Sequence, residues 1–187
     1  MTNIAILASH NGSGFDAIYK AMKAKTLDAN IVFLISNNTN AKALKNAKRL
    51  GIEHFLINEK THPNADKEIY RLLKEYQCKY IFLSGYMKKL STLLTSNFNI
   101  INAHPSLLPK HGGAGMYGRF VHEAVINSKD KVSGVTIHEV NAVYDDGKIL
   151  LQREVVVGEN ETPKSLEVKI KELEKTAIVE ALKQCLK

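Results

Sequence analysis

Cysteine is scarce in this sequence: Cys78 and Cys185 are the only two among 187 residues. They lie far apart, in or near segments that read as helices, which suits reduced thiols in a cytoplasmic protein rather than a disulfide framework. Neither has a histidine or a redox motif nearby, so neither reads as a nucleophile. Long apolar runs are also missing. The stretch Ile4 to Ala8 is too short for a signal peptide or a membrane span, so no membrane association is expected. There are no RNP-type aromatics, no zinc spacing and no basic amphipathic arm, so a dedicated nucleic-acid module is not expected. The formal net charge of +7 comes from dispersed lysines that never form a block, and suits an anionic ligand, a basic proteome or non-specific nucleic-acid contact. His10, His54, His62, His111 and His122 show no metal-ligand spacing, and no metal is expected. Nothing repeats and no low-complexity linker divides the chain, which favours one large domain over two very small ones. The hydrophobic fraction of 44% is ordinary for a globular protein with a real core.

What is present reads as alternating strands and helices. Asn3 to Ser9 has the near-continuous apolar character of a strand buried on both faces. His10-Asn11-Gly12-Ser13-Gly14 comes next, and then Phe15, Ala17, Ile18, Ala21 and Met22 recur at helical spacing. A helix N-terminus after such a turn offers free amides and a positive dipole end, which suits a phosphate, although the turn matches neither GxGxxG nor a P-loop and also serves as a plain βα connection. Ile31 to Ser36, His54 to Ile57 and Tyr80 to Leu83 read as further strands. Helices marked by Ala43, Leu44, Ala47 and Leu50, and by Ile69, Leu72, Leu73 and Tyr76, lie between them. The alternation predicts a single α/β domain: a mostly parallel, twisted sheet of about seven strands with helices on both faces and a Rossmann-like N-terminal half. An antiparallel strand is expected near one edge, because only a short link joins the strands at Val132 to Asn141 and Ile149 to Val157. Val135, Ile137 and Glu139 then share one face of the first, and Thr136, His138 and Val140 the other. Arg119 to Ser128 fits a helix with Val121, Ala124 and Val125 inward, and Thr162-Pro163 opens a long closing helix.

Ligands of such sheets bind at the carboxyl ends of strands. Three polar turns fall there: His10 to Gly14, Ser84 to Lys89, and Asn102 to Ser106. The last belongs to the octet Asn102-Ala103-His104-Pro105-Ser106-Leu107-Leu108-Pro109, in which two prolines stiffen the chain. An imidazole beside an amide donor suits protonation or stabilisation of a developing oxyanion, and the same residues also suit a plain strand-end turn. His104 is the best acid/base candidate; Asn102 is a candidate oxyanion donor or a strand-end cap. Asp145, in Tyr144-Asp145-Asp146-Gly147, is by itself good turn chemistry. His138, flanked by apolar residues, reads as a core or supporting histidine, and Ser106 as a turn residue.

The octet, joined to Tyr144-Asp145-Asp146-Gly147 after Ser133-Gly134-Val135-Thr136-Ile137-His138, resembles the folate-dependent formyltransferases. The opening Ile6 to Phe15, Ser36-Asn37-Asn38, Leu83 to Met87 and Lys110 to Gly118 narrow the resemblance to the glycinamide ribonucleotide formyltransferases, over essentially the whole chain. That resemblance implies formyl transfer from 10-formyltetrahydrofolate, as co-substrate and without metal, to the amine of phosphoribosylglycinamide in purine synthesis. It implies residues 1–101 as the half that binds the substrate phosphate and 102–187 as the catalytic and folate half. Asn102, His104 and Asp145 would be catalytic, with Asp145 holding His104 charged and, with an ordered water, relaying the amine proton. Gly12, Ser13 and Gly14 would hold the phosphate, and Glu174 and Lys171 the rest of that substrate. Met87, Lys88, Lys89 and Leu90, with Asn102 and the loop Val140, Asn141, Ala142, Val143, Tyr144 and Asp145, would line the folate pocket. Small-molecule partners, no nucleic acid, and a cytoplasmic monomer or homodimer are implied by the same resemblance.

The chain departs from the family pattern in three places. His62 stands near where a folate-contacting arginine is often found, Gly112 to Gly118 replaces a common Pro-Gly-Leu, and Lys175 replaces a usual histidine. The four glycines of that loop suggest a mobile lid. Two other readings stay open. A methionyl-tRNA formyltransferase core shares the octet and the aspartate, but is expected to carry a further tRNA-binding domain. A non-catalytic nucleotide-binding domain would use the Gly12 to Gly14 turn and leave Asn102, His104 and Asp145 unexplained.

Overall fold

A computed structural model describes residues 1–186. In chain order its elements are β1 (Thr2–Leu7), α1 (Ser13–Lys23), β2 (Ala29–Ser36), α2 (Lys42–Arg49), β3 (Glu53–Leu56), α3 (Ala65–Glu75), β4 (Tyr80–Leu83), α4 (Thr92–Thr95) and β5 (Asn99–His104). The remaining elements are α5 (Arg119–Asn127), β6 (Val132–Glu139), β7 (Ile149–Val156) and α6 (Pro163–Cys185). The strands form one seven-stranded sheet in the order β3-β2-β1-β4-β5-β6-β7. Strands β1 to β5 are parallel, and β6 runs antiparallel to both of its neighbours. The expected antiparallel strand is thus β6, one position in from the edge.

Strand alternation distributes the core between the two faces of the sheet. Ile4, Ile6 and Ala8 pack with Phe15 and Ile18 of α1, Ala43 and Ala47 of α2, and Ile178 and Leu182 of α6. Ala5 and Leu7 point the other way, towards Ile69, Leu72 and Leu73 of α3 and Leu94 of α4. Each fully buried Ile or Leu contributes about 1.5–3 kcal/mol, so coverage on both sides is what makes a continuous apolar strand stable. Helix α6 opens as its sequence dictates: the Thr162 side chain accepts from the Ser165 amide, Ser165 reciprocates, and proline occupies the first turn.

The differences from the sequence reading are local. Asn102 to His104, expected in a turn, lie within strand β5, because β6 supplies ladder partners for Ile101 to His104 that the sequence does not reveal. Helix α5 buries His122 beside Val121 and Val125, while Ala124 is only half-buried. Glu139 ends β6 exposed, and the short α4 was not anticipated. No described helix is long and apolar enough to cross a membrane.

Candidate active site

The strand order reverses between β1 and β4, and the turns after these two strands are bound together. Ser9 N–H donates to the Gly85 carbonyl, and the Met87 amide donates to Ser9 Oγ at 2.8 Å. The Phe15 amide, in the first turn of α1, is taken by Ser84 Oγ at 3.1 Å. The Ser13 and Gly14 amides, by contrast, find no partner among the described residues. Gly12 caps the helix with φ 72°, the left-handed region that glycine enters at no steric cost. A Cβ on Gly14 would lie 2.7 Å from Phe82 and 3.0 Å from Ser84 Oγ, so the bare backbone is what lets α1 sit this close to β4.

Beside this turn lies a groove of about 760 Å³ between α1 and α6, lined by Asn11, Ser13, Lys20, Lys171 and Lys175 among others. Ser13 and Lys171 therefore share one cavity, with Lys171 paired to Glu167 on its own helix. Lys175 also lines the groove and pairs with Glu172. Glu174 does not line it; that side chain is half-buried without a hydrogen-bond or ion-pair partner among the described residues, and burial pushes its carboxyl up to about 7.

On the opposite face of the sheet, β5 and β6 assemble the polar cluster. Asn102 pairs with His138, and His104 with Thr136, across the antiparallel ladder. Residues two apart on a strand share a face, so Asn102 and His104 point the same way as His138 and Thr136. His138 Nδ1–H donates to the Glu139 carbonyl at 2.8 Å, which leaves Nε2 to accept from Asn102 Nδ2 at 3.2 Å. His138 thus fixes which end of the Asn102 amide is the donor, and one of its two N–H groups remains for a ligand. Asp145 reaches across from the β6–β7 connection. Its carboxylate stands 3.4 Å from His104 Nδ1 and 3.5 Å from His138 Nε2, and accepts the Gly113 amide at 2.9 Å. The other ring nitrogen of His104 donates to the His111 carbonyl at 2.8 Å. Asp145 adopts φ 54°, a conformation that aspartate tolerates better than most residues. It is therefore both the turn residue its sequence suggests and a carboxylate beside two imidazoles.

The stiff turn after His104 is held by a buried polar network. Thr136 Oγ1 donates to the Ser106 carbonyl and accepts the Leu108 amide, and Gln152 of β7 binds both Thr136 Oγ1 and the Leu108 carbonyl. Ser106 Oγ donates to the Lys110 carbonyl at 2.6 Å, so its role is the turn itself.

Burial dominates the electrostatics. It lowers the pKa of His104 below the ordinary 6.5; the Asp145 carboxylate and the His111 carbonyl oppose this, while His138 and His111 as neighbouring cations add to it. Asp145 stands beside His104, and its field opposes the dehydration that lowers the pKa of the imidazole. Burial likewise depresses His138 and His122, and His122 Nδ1 has no partner among the described residues.

Next to the cluster is a cavity of about 80 Å³. Of the residues expected around the folate, Lys88, Lys89, Leu90, Asn102, Val140, Asn141, Ala142, Val143, Tyr144 and Asp145 all line it. Met87 does not; its side chain is exposed and its backbone serves the β1–β4 turn. Leu83, Tyr86 and His138 complete the lining and were missed. The placement of His138 opposite Asn102 needed the ladder register, although the shared face of Thr136, His138 and Val140 was a legible hint. His62 bonds the Thr61 hydroxyl and stays outside this cavity, whereas Lys89 lies 5.3 Å from the Tyr144 ring at its rim. Among the described residues no group of three or more His, Cys, Asp or Glu side chains could hold a metal ion.

The Asp145 turn depends on Gly147, where a Cβ would fall 1.7 Å from the Glu139 carbonyl oxygen. Gly147→Ala must push the turn off β6. It is expected to lower stability by about 1–3 kcal/mol, the usual overpacking cost, and to reduce activity by moving Asp145. Thermal melts of the two proteins check this, and an unchanged Tm would contradict the close approach.

The formyl transferase family model matches residues 2–182. A phosphoribosylglycinamide formyltransferase of Bacillus subtilis is 31% identical over 100% of this chain and 95% of its own length. The chloroplastic phosphoribosylglycinamide formyltransferase of Arabidopsis thaliana is 33% identical over 96% of this chain, and the chain spans 63% of that longer protein. The solved structure of glycinamide ribonucleotide transformylase 1 from Geobacillus kaustophilus superposes with a TM-score of 0.91 at 31% identity, covering 100% of both chains.

Proposed function

The chain belongs to the formyl transferase family, and we propose that it transfers the formyl group of 10-formyltetrahydrofolate to the amine of 5-phosphoribosylglycinamide in purine biosynthesis. The observation that carries this reading is that Asn102 and Asp145 line a cavity together with the Val140 to Tyr144 loop, with His104 held beside Asp145. The free α1 amides and the lysine-lined groove suit the phosphoribosyl end of the second substrate. The donor set also fits the folate: Asn102, with one amide N–H left over from its bond to His138, lines a cavity together with Leu83, Leu90 and Val140.

In this reading the amine attacks the formyl carbon directly, and no covalent enzyme intermediate is required. Asn102 donates to the oxygen as it becomes negative, and such preorganised donors are usually the largest catalytic contribution. His104 Nδ1 begins unprotonated, takes the proton that the attacking nitrogen must lose, and as an imidazolium beside Asp145 gives it to the folate N10 nitrogen when the tetrahedral intermediate collapses and the formyl carbon–N10 bond breaks, releasing tetrahydrofolate. Asp145 then acts on a charge that exists only during the reaction, which raises turnover rather than ground-state binding. Residues 1–101 supply the phosphate turn and 102–187 the catalytic residues and the folate loop, with Lys88, Lys89 and Leu90 joining the folate pocket from the first half, Lys171 the substrate groove from the second, and Glu174 on the same helix outside that groove. The partners are small molecules, no nucleic acid is engaged, and the protein works in the cytoplasm as a monomer or homodimer.

The test is turnover, followed by the absorbance change as the formylfolate loses its formyl group, with phosphoribosylglycinamide and with methionyl-tRNA in parallel. Turnover with the tRNA alone would overturn the reading in favour of the other formyltransferase, and turnover with neither would favour a non-catalytic nucleotide-binding domain. Inorganic phosphate is expected to compete with the ribonucleotide and not with the folate, because the α1 turn is the phosphate subsite. Competition against the folate alone would place the phosphate elsewhere.

A further inference from the structure

Asp130 belongs neither to the catalytic cluster nor to the lining of either cavity, yet it controls the start of the glycine-rich loop. It sits in the turn between α5 and β6 with a side chain 10% exposed, and its carboxylate takes two donors. His111 Nε2 approaches one oxygen at 2.8 Å, and Lys110 Nζ pairs with the other. These adjacent residues carry the backbone that meets the catalytic imidazole, since the His111 carbonyl accepts His104 Nε2–H at 2.8 Å. His111 itself adopts φ 55°, a left-handed conformation that is unfavourable for a non-glycine residue and persists only where the surroundings enforce it. Ser106 Oγ on the Lys110 carbonyl and Asp145 on the Gly113 amide fix the chain on either side. The first residues of this loop are therefore clamped, although glycines dominate the remainder, through Gly118.

We propose that Asp130 is a positioning residue for His104: by holding Lys110 and His111 it places the His111 carbonyl against His104 Nε2–H. A histidine nitrogen committed as a donor decides the role of the other. With Nε2 occupied, the proton that comes and goes at His104 is the one on Nδ1, the nitrogen that faces Asp145. Without the clamp, His111 relaxes from its left-handed conformation, its carbonyl leaves, and the ring is free to turn or change tautomer. The inference rests on the formyl-transfer reading for its kinetic consequence, but not for its structural one.

The test compares Asp130→Ala and Asp130→Asn with the parent protein by steady-state kinetics and by NMR of the histidine ring N–H groups. In the parent the His104 Nε2–H, buried and hydrogen-bonded, should give a slowly exchanging resonance. In Asp130→Ala that resonance should be lost to exchange, and kcat should fall by ~10-fold or more, as small misplacements of catalytic groups allow, while KM for either substrate changes less than ~3-fold. Asp130→Asn keeps an acceptor for one of the two donors and should fall between. Loss of the carbonyl contact also removes an influence that raises the His104 pKa, so the acid limb of kcat/KM should move to lower pH. The other titratable groups facing His104 are Asp145, His138, His111 and His122, and all are retained in these variants. An Asp130→Ala protein with kcat within ~2-fold of the parent, a rise in kcat, or an unchanged His104 N–H resonance would overturn the proposal. Should Asp130→Ala not fold, Asp130→Asn with the same resonance decides it. If the parent transfers no formyl group, the substrate reading fails while the NMR result still tests the clamp.

Discussion

Replacing His104 by alanine should lower kcat by ~10²-fold or more and leave KM for the ribonucleotide within a few-fold. The split comes from the geometry. The proposed phosphate subsite is built from α1 amides and the α1–α6 groove, and neither uses His104. The variant loses the base that takes the amine proton and the cation that forms beside the oxyanion, and both matter only once bond formation has begun. The sign of the pH dependence is set by burial. The proposed role as base needs this group unprotonated, and His104 is held below its ordinary 6.5, so kcat/KM of the parent should fall as pH drops through that lowered value. The His104→Ala protein should lack that limb. A residual rate near that of the parent, or an acid limb unchanged in the variant, would assign the proton transfer to another group.

The same burial has a consequence for stability. His104, His122 and His138 are all depressed in the folded chain, so the unfolded chain binds more protons below the ordinary 6.5. Their contribution is fully present above that pH and is lost as pH falls through it towards the folded values. The site is thus a source of acid lability, set by the dehydration of its histidines.

Much of this was legible in the sequence because it rests on period and composition. Ile4 to Ala8 and Tyr80 to Leu83 are apolar on both faces, and such runs have to be interior strands of a doubly covered sheet. Thr162 and Pro163 announce the start of α6 through local chemistry that needs no tertiary partner. Asn102 and His104 were found because prolines and polar residues at a strand end are unusual enough to notice. What stayed illegible depends on register and on long-range approach. His138 has an apolar setting that reads as core, and only its pairing opposite Asn102 turns it into the group that orients that amide. Met87 was expected to line the folate pocket, but its neighbours do so while its amide is spent on Ser9, a contact between residues 78 apart in sequence. The nearness of Asp145 to His104 could be inherited from a resemblance, but the dehydration that opposes its field is a property of the packed site.

Asp145→Asn is the sharper probe of that balance. Asparagine keeps the size of the side chain, tolerates the left-handed backbone at this position, and still offers an oxygen to the Gly113 amide. The turn and the start of the loop should therefore survive, and only the charge is removed. Turnover is expected to fall by ~10²-fold or more, because the imidazolium that forms at His104 then has no counter-charge in a buried site. The carboxylate raises the His104 pKa, so its removal must lower that pKa further, and the acid limb of kcat/KM should move to lower pH while the plateau drops. A slow variant with an unmoved limb would mean that Asp145 acts by holding the loop through Gly113 and not by its charge. A limb displaced to higher pH would mean that neither imidazole beside Asp145 is the group being titrated, because the carboxylate also stands 3.5 Å from His138 and raises its pKa as well. The shift therefore tests whether an imidazole beside Asp145 carries the acid limb, and the size of the rate loss shows how much of catalysis depends on a charge present only in the transition state.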